Sequence, residues 1–348
     1  MAKQKFDSSG FERLKASIRQ KNVDNLYVFH GEERFLMQHY LGSLRKLLLD
    51  DLTETFNFHR LNNENFNIQT FADAVESLPM MAEHTLVQVD DIDFFKLPEG
   101  DREKISHILS DIPEYCTVVL NYVTVAWKPD KRLKKLWEPF EKYATIVEFG
   151  KQEPKDLVPW ISRHFAEEGK RITNELCYYL IDLTGGTMTA LAGEIRKICA
   201  YSGAEHIVKS DIDAVTEPVL DAVVFDMTNL LGEGKYAASL EKLQQLFKLQ
   251  EEPLAILGAV GAQLRRISVA RTLLDNGKQT SELMRLTGMK EYPARKAMES
   301  ARRFRPEFCR KAAELVLETD NKIKTSFDDS ERLLELLILQ LAQESGRD

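Results

Sequence analysis

The first third of the chain alternates short β-rich runs with helical patterns of apolar residues. The runs are apolar or alternating and rich in β-branched and aromatic residues, which favours strands. Because strands that alternate with helices are typical of βαβ units, the pattern predicts a mainly parallel sheet covered by helices. The five runs that predict strands are residues 26–29, 55–58, 85–89, 117–120 and 144–147.

Two helical patterns lie between these runs. The first extends from about Glu32 to Leu49 and carries apolar residues four apart. The second begins after Asn67, which is placed as an N-cap, and ends before Pro79. Its apolar residues recur at i, i+3, i+4, i+7 and i+10 and are Ile68, Phe71, Ala72, Val75 and Leu78.

The β-rich runs stop after Phe149, and the remaining pattern is helical to the end. A charged stretch with a proline, residues 151–155, is typical of a domain linker, and Pro218 marks a second break. We therefore predict an α/β domain over residues 1–149, an all-α domain over residues 150–217 and a second all-α domain over residues 218–348.

Charge and cysteine usage restrict the function further. The formal net charge is -8, which argues against a chain that coats nucleic acid or anionic membrane by bulk charge. The four cysteines are far apart and suggest neither a zinc ribbon nor a disulfide framework. The apolar stretch over residues 253–264 is too short to span a bilayer. We expect a cytoplasmic protein with no membrane partner.

Gly31 follows the first strand, where a phosphate-binding loop would lie. Aligning the pattern G-x-x-x-x-G-K-[ST] to Gly31 places Leu36 at the second glycine, Met37 at the lysine and Gln38 at the hydroxyl residue. Glu32 and the glutamate after it add negative charge at the helix start. The pattern therefore predicts a degenerate phosphate loop, and no cofactor is expected.

The third strand ends in Asp90 and Asp91, as the magnesium-binding strand of a P-loop ATPase does. This ending leaves open an ATPase with an atypical nucleotide site, although such carboxylates also cap helices or face water. The histidines form no H-E-x-x-H pair, and no G-x-S-x-G occurs. The sequence nominates no catalytic group and no metal site.

A basic cluster spans residues 285–311, where nine lysines and arginines face three glutamates. It includes four candidate contacts to DNA or to an acidic partner: Arg295, Arg302, Arg303 and Arg305. A helical nucleic-acid-binding adaptor is therefore a further alternative, although a solvated basic face is common and nothing here reads bases.

Four blocks in order resemble the delta subunit of bacterial DNA polymerase III over nearly the whole chain. They are residues 26–36, residues 78–89, the glycine-rich turn and helix of residues 185–198, and the closing segment of residues 320–341. The resemblance implies an AAA+-like fold with a RecA-type first domain that has lost its functional P-loop, a helical lid and a helical collar used for oligomerisation. ATP would then be hydrolysed by partner subunits.

The resemblance also implies a role. A subunit of this family binds the beta sliding clamp and holds one ring interface open so that the clamp can be loaded on primed DNA at the replication fork. Its partners are gamma/tau and delta prime subunits in a heteropentamer, within a DNA-directed DNA polymerase holoenzyme to which it adds no catalytic site. Such a subunit is cytoplasmic and associated with the nucleoid.

The family contacts the clamp through an apolar pair just before the third strand, which corresponds here to Met80 and Met81, with Leu78 and Pro79 as neighbours. Methionine side chains are flexible and fill irregular pockets. The familiar pair is leucine and phenylalanine, so two methionines are a departure. By pattern alone, two methionines beside a sheet would more often be part of the core.

Overall fold

The computed structural model describes residues 9–289 and 291–346. The chain divides into two compact units. One contains the residues up to Glu153 together with Thr187–Thr189, and the other contains Pro154–Gly186 and the residues from Ala190 onward. The three-domain division into residues 1–149, 150–217 and 218–348 stays a prediction.

The first unit is built around a parallel sheet in the order β2-β3-β4-β1-β5. This arrangement confirms the predicted fold class of its α/β part. The strands are β1 (Leu26–Gly31), β2 (Phe58–Leu61), β3 (Thr85–Asp90), β4 (Cys116–Asn121) and β5 (Ala144–Phe149). The helices are α1 (Ser9–Gln20), α2 (Arg34–Leu48), α3 (Glu54–Asn57), α4 (Ile68–Glu76), α5 (Glu99–Ser110) and α6 (Lys134–Tyr143).

Both faces of the sheet are covered, which explains why the inner strands read as continuous apolar runs. In β1, Leu26 and Val28 pack on the side of α4, α5 and α6. Tyr27 and Phe29, which alternate with them, pack on the side of α1 and α2. The sheet therefore lies between two apolar cores, and function must be sought at its edges and loops.

The predicted strand over residues 55–58 is wrong for all but its last residue. The chain forms the short helix α3 over Glu54–Asn57, and β2 begins at Phe58. Asp50 accepts hydrogen bonds from the backbone amides of Leu52 and Thr53, which turns the chain into the helix. These local bonds outweigh the β propensity of the run.

Asn67 is confirmed as the N-cap of α4, where it forms a capping box with Thr70. The helix ends at Glu76, so Leu78 is not part of its buried stripe. Its side chain is 71% exposed. The helical period of the sequence therefore extended one residue of the stripe beyond the real end of the helix.

The second unit is all-α apart from an isolated bridge between Arg171 and His206, among the residues that the structure describes. One apolar core of this unit joins residues from Val223 to Ala342. Its helices are α7 (Pro154–Glu167), α8 (Asn174–Thr184), α9 (Met188–Tyr201), α10 (Lys209–Val215), α11 (Leu220–Gly232), α12 (Tyr236–Lys248), α13 (Pro253–Asp275), α14 (Thr280–Thr287), α15 (Glu291–Ala301), α16 (Pro306–Thr325) and α17 (Ser330–Ser345).

Candidate functional site

The loop between α4 and β3 presents large apolar side chains to solvent. Met80 is 56% exposed and Met81 is 93% exposed, while Pro79 between Leu78 and Met80 is half-buried. The expectation from pattern alone, that two methionines beside a sheet belong to the core, does not hold for this loop. A group of exposed apolar side chains in one loop is a feature of protein-binding surfaces.

A buried amide holds this loop in place. Asn57, at the end of α3, is fully buried. Its Nδ2 donates to the carbonyl oxygen of Met80 at 2.9 Å, and its Oδ1 accepts from the amide of Met80 at 2.7 Å. Because both backbone groups of one loop residue are bound by one buried side chain, the position of the loop is defined by α3.

Met81 adopts a left-handed backbone conformation, with φ of 54°. This conformation costs about 1–2 kcal/mol for a residue with a β-carbon. The turn lies between the methionine pair and β3, which begins at Thr85. Backbone strain of this kind is held only where neighbouring bonds define the conformation, and the Asn57 amide supplies such bonds on the preceding residue.

Sequence reasoning missed Asn57 and its neighbours Phe56 and Leu52, which are 55% and 89% exposed. It placed Phe56 and Asn57 in a strand, where alternate side chains would be buried. The signal that could have revealed α3 was Asp50 ahead of Thr53 and Glu54, a typical helix start. Phe56 and Leu52 lie one and five residues before Asn57, which bonds directly to the loop.

The turn at Gly31 lies at the carboxyl ends of the parallel strands, whereas this loop lies at their amino ends. Gly31 is the last residue of β1, whereas the loop precedes β3, and the strands are parallel. Gly31 pairs with Phe149 of β5 and has φ of 130°, and a β-carbon there would lie 2.3 Å from the Phe149 carbonyl oxygen. A tight approach between two strands therefore explains this glycine.

The turn after Gly31 is too short to surround a phosphate. Only Glu32 and Glu33 separate β1 from α2, and the amide of Glu33 donates to the Phe149 carbonyl oxygen at 2.9 Å. The Glu33 side chain is buried, and burial raises the pKa of its carboxyl group. An acidic side chain and an occupied amide thus stand where a phosphate loop needs free backbone donors.

The three residues aligned with the rest of the phosphate-loop pattern do not lie together around a common site. Met37, at the lysine position, is buried in the core beneath α2, and Leu36 packs against the same core. Gln38 is exposed and lines a cleft of about 440 Å³ together with Asp90 and Asn121. The structure therefore brings Gln38, but neither Leu36 nor Met37, to a solvent cleft.

Asp90, the first acidic residue after the apolar part of β3, is bound by side chains of the chain itself. Arg60 Nε donates to its Oδ2 at 2.7 Å, Asn121 Nδ2 donates to its Oδ1 at 2.8 Å, and Gln88 Nε2 reaches both oxygens. A carboxylate engaged by three donors is poorly disposed to coordinate a cation. Among the described residues, no cluster of three or more metal-ligating side chains could hold a metal ion.

Asp91 closes the loop that follows β4. Its carboxylate accepts hydrogen bonds from the amides of Val123, Thr124 and Val125 and from the Thr124 hydroxyl. Burial by itself raises the pKa of this carboxyl group, but the four hydrogen bonds outweigh burial and the net pKa is lowered. The Asp90–Asp91 pair is thus used in structural bonds.

Comparison with known proteins decides the family. A sequence model described as "DNA polymerase III, delta subunit" matches residues 27–150, and one described as its C-terminal domain matches residues 221–341. The chain belongs to the DNA polymerase III delta-subunit family. It is 28% identical over 338 residues to DNA polymerase III subunit delta of Bacillus subtilis, covering 95% of this chain and 97% of that protein.

A second relative of this delta-family chain is the probable DNA polymerase III subunit delta of Aquifex aeolicus, at 23% identity over 80% of each chain. Among solved structures, the clamp loader delta protein of Bacillus subtilis matches with a TM-score of 0.57 and 24% identity. The match covers 96% of this chain and 99% of that protein. It supports the fold of the delta-family chain.

The basic cluster of the delta-family chain is more neutral than its sequence suggests. Arg303 lies 3.3 Å from Glu233, Lys296 pairs with Asp182, and Arg285, Arg310 and Lys311 each pair with a nearby glutamate. Several of these acids lie outside residues 285–311, so a local count missed them. Arg295, Arg302 and Arg305 are exposed. Lys290 of the same cluster lies outside the described residues.

The sequence predicted that the apolar stretch over residues 253–264 is too short to span a bilayer, and the helices of the structure bear on this prediction. Within residues 9–289 and 291–346, no helix is both long and apolar enough to cross a bilayer.

Proposed function

We propose that this delta subunit binds the beta sliding clamp through the loop of Leu78, Pro79, Met80 and Met81 and holds one interface of the ring open for loading on primed DNA. The observation that carries the proposal is the exposure of Met80 and Met81 on a loop that Asn57 fixes in place. A rigid apolar projection gains affinity because little conformational freedom is lost on binding.

The test is binding of the cognate sliding clamp to the full chain by surface plasmon resonance, comparing wild type with Met80→Ala/Met81→Ala. We expect a loss on the order of 2 kcal/mol or more, typical of a hot spot. Both side chains are exposed, so the free energy of unfolding should hardly change. Equal binding would place the contact elsewhere, and absence of wild-type binding would refute the proposed function.

We also propose that the chain hydrolyses no ATP, that partner subunits hydrolyse it, and that the chain assembles with gamma/tau and delta prime subunits in a heteropentamer. The short turn at Gly31, the buried Met37 and the engaged Asp90 support this. Equilibrium binding of a fluorescent ATP analogue to the isolated chain should give no saturable signal. Saturable binding that is lost on Asp90→Asn would favour the alternative of an atypical ATPase.

For the second unit we propose the helical lid and the oligomerising collar that the family resemblance implies. Exposed Arg295, Arg302 and Arg305 are the candidates for contact with DNA or an acidic partner surface in the assembled loader. Arg303 is a weaker candidate because it bonds to Glu233 and Asn229. Salt-sensitive binding of DNA by the isolated chain without a clamp would instead favour the adaptor alternative.

A further inference from the structure

The segment before β2 presents apolar side chains although both of its ends are held. Asp50 Oδ1 accepts from the amides of Leu52 and Thr53, each at 2.9 Å. Arg45 of α2 pairs with Glu54 at the start of α3. Leu52 and Phe56 nevertheless remain exposed, so their exposure is a property of an ordered segment.

Asn57 connects this segment to the methionine loop. Its Nδ2 donates both to the carbonyl oxygen of Thr53, the N-cap of α3, at 3.0 Å and to the Met80 carbonyl oxygen. Its Oδ1 accepts from the Met80 amide. A side-chain amide offers two donors and an acceptor at once, whereas neither a leucine nor an ionised aspartate could make all three bonds. The exposed ring of Phe56 therefore lies one residue from the bond that fixes Met80.

We propose that the clamp contact is a two-segment surface in which Phe56 of α3 joins Met80 and Met81, and that Asn57 is the positioning residue that holds the two segments in register. The inference rests on the proposed function and deepens it, because it assigns new residues to the same contact.

The apolar and charged side chains of this surface indicate the kind of partner pocket that it fits. Its centre is apolar, and exposed Asp51 and Glu83 stand one and two residues along the chain from Leu52 and Met81. An apolar centre with acidic neighbours fits an apolar pocket on the clamp that has basic residues at its rim. Burial of Phe56 in such a pocket removes an aromatic ring from water, which is among the most favourable single contributions to an interface.

The first test replaces an exposed side chain and so leaves the fold intact. Phe56→Ala is compared with Tyr143→Ala, an aromatic residue of similar exposure (51%) at the end of α6, beside the opposite edge strand β5. In clamp binding by the full chain we expect Phe56→Ala to weaken affinity about tenfold and Tyr143→Ala to change it less than about twofold. Equal effects of the two substitutions would overturn the role of Phe56.

The second test measures coupling. Asn57→Ala is introduced into wild type and into the Met80→Ala/Met81→Ala variant. If Asn57 acts by presenting the methionines, it should weaken binding about tenfold in wild type and hardly at all in the variant. A merely structural residue would give the same loss in both backgrounds, which would overturn its positioning role.

The matched control is Asn67→Ala, which removes the capping box at the other end of α4. We expect it to lower the thermal midpoint of unfolding while leaving clamp affinity unchanged. If Asn57→Ala fails to fold, the Phe56→Ala comparison still decides the extent of the surface. Weaker binding by Met80→Ala/Met81→Ala with undiminished binding by Phe56→Ala refutes this inference alone, whereas no clamp binding by wild type refutes it together with the proposed function.

Discussion

At the scale of single residues, backbone geometry explains why certain residue types occur where a functional motif or a glycine would be expected. Gly31 stands where a phosphate loop would begin, yet its φ and its approach to Phe149 account for it. Met81 shows the reverse case, because a large side chain is retained in a conformation that favours glycine. The almost complete exposure of its side chain agrees with the proposed clamp contact.

Substitution of Gly31 tests the first of these explanations. Gly31→Ala should lower the free energy of unfolding by about 2–4 kcal/mol, because the new β-carbon meets the Phe149 carbonyl and φ is unfavourable. Urea unfolding followed by circular dichroism measures the change. Gly42→Ala is the control, since a β-carbon at this helical position meets nothing within 4 Å, and it should raise stability by about 0.5–1 kcal/mol.

Substitution of Met81 separates binding from folding. Met81→Gly relieves the left-handed conformation but adds unfolded-state entropy, so the free energy of unfolding should change by less than about 1 kcal/mol. Clamp affinity should fall about fivefold or more because the apolar side chain is gone. Met81→Leu keeps an apolar side chain and should bind nearly as wild type. A Met81→Gly chain with undiminished affinity would remove Met81 from the clamp-binding surface.

At the scale of elements, the decisive features are short connections. The four-residue helix α3 orders the segment before β2, and the Asn57 amide fastens it to the loop before β3. On the carboxyl side of the sheet, Asp91 fastens the loop after β4. Both devices use one polar side chain to satisfy backbone groups of a neighbouring loop, which leaves the apolar side chains of the loop free for other interactions.

The Asp91 loop gives a pH dependence of stability. The folded-state pKa of Asp91 lies below its ordinary value of 3.8, so its carboxylate stabilises the fold above that value and this contribution is lost as pH falls through the folded-state pKa. Asp91→Asn should therefore destabilise the chain near neutrality and progressively less as pH is lowered from about 5 to about 2. Urea unfolding across this range measures it, and a pH-independent difference would contradict it.

At the scale of the whole molecule, the length of the parallel strands separates the loop before β3 from the turn after β1. The loop of Met80 and Met81 precedes β3 at the amino ends of the strands, and the turn at Gly31 follows β1 at their carboxyl ends. A change at one end of the strands need not disturb the other end, because apolar cores on both faces of the sheet hold the strands between them. This separation explains how the turn at Gly31 can differ from a phosphate loop while the apolar surface before β3 stays ordered.

The proposed contact of the basic cluster with DNA can be tested in the assembled loader. Arg302→Glu/Arg305→Glu should reduce the slope of log K against log salt for DNA binding by the assembled loader, by about 0.9 for each phosphate that is no longer neutralised. Lys248→Glu, an exposed residue of α12 outside the cluster, is the control for charge alone. Fluorescence anisotropy at several salt concentrations measures the slope, and an unchanged slope would exclude the cluster from DNA binding.

The amino-acid sequence by itself determined the βαβ pattern, four of the five strand positions, the Asn67 cap and the failure of the phosphate-loop pattern at Leu36, Met37 and Gln38. These follow from periodicity and from side-chain chemistry, which are local. The helix over residues 54–57 and the end of α4 before Leu78 are local features that the pattern of apolar residues did not reveal. Only the tertiary structure decided that Asn57 bonds to Met80. It also showed ion pairs such as Lys296 with Asp182. These depend on groups far apart in the chain, whose meeting no local pattern encodes.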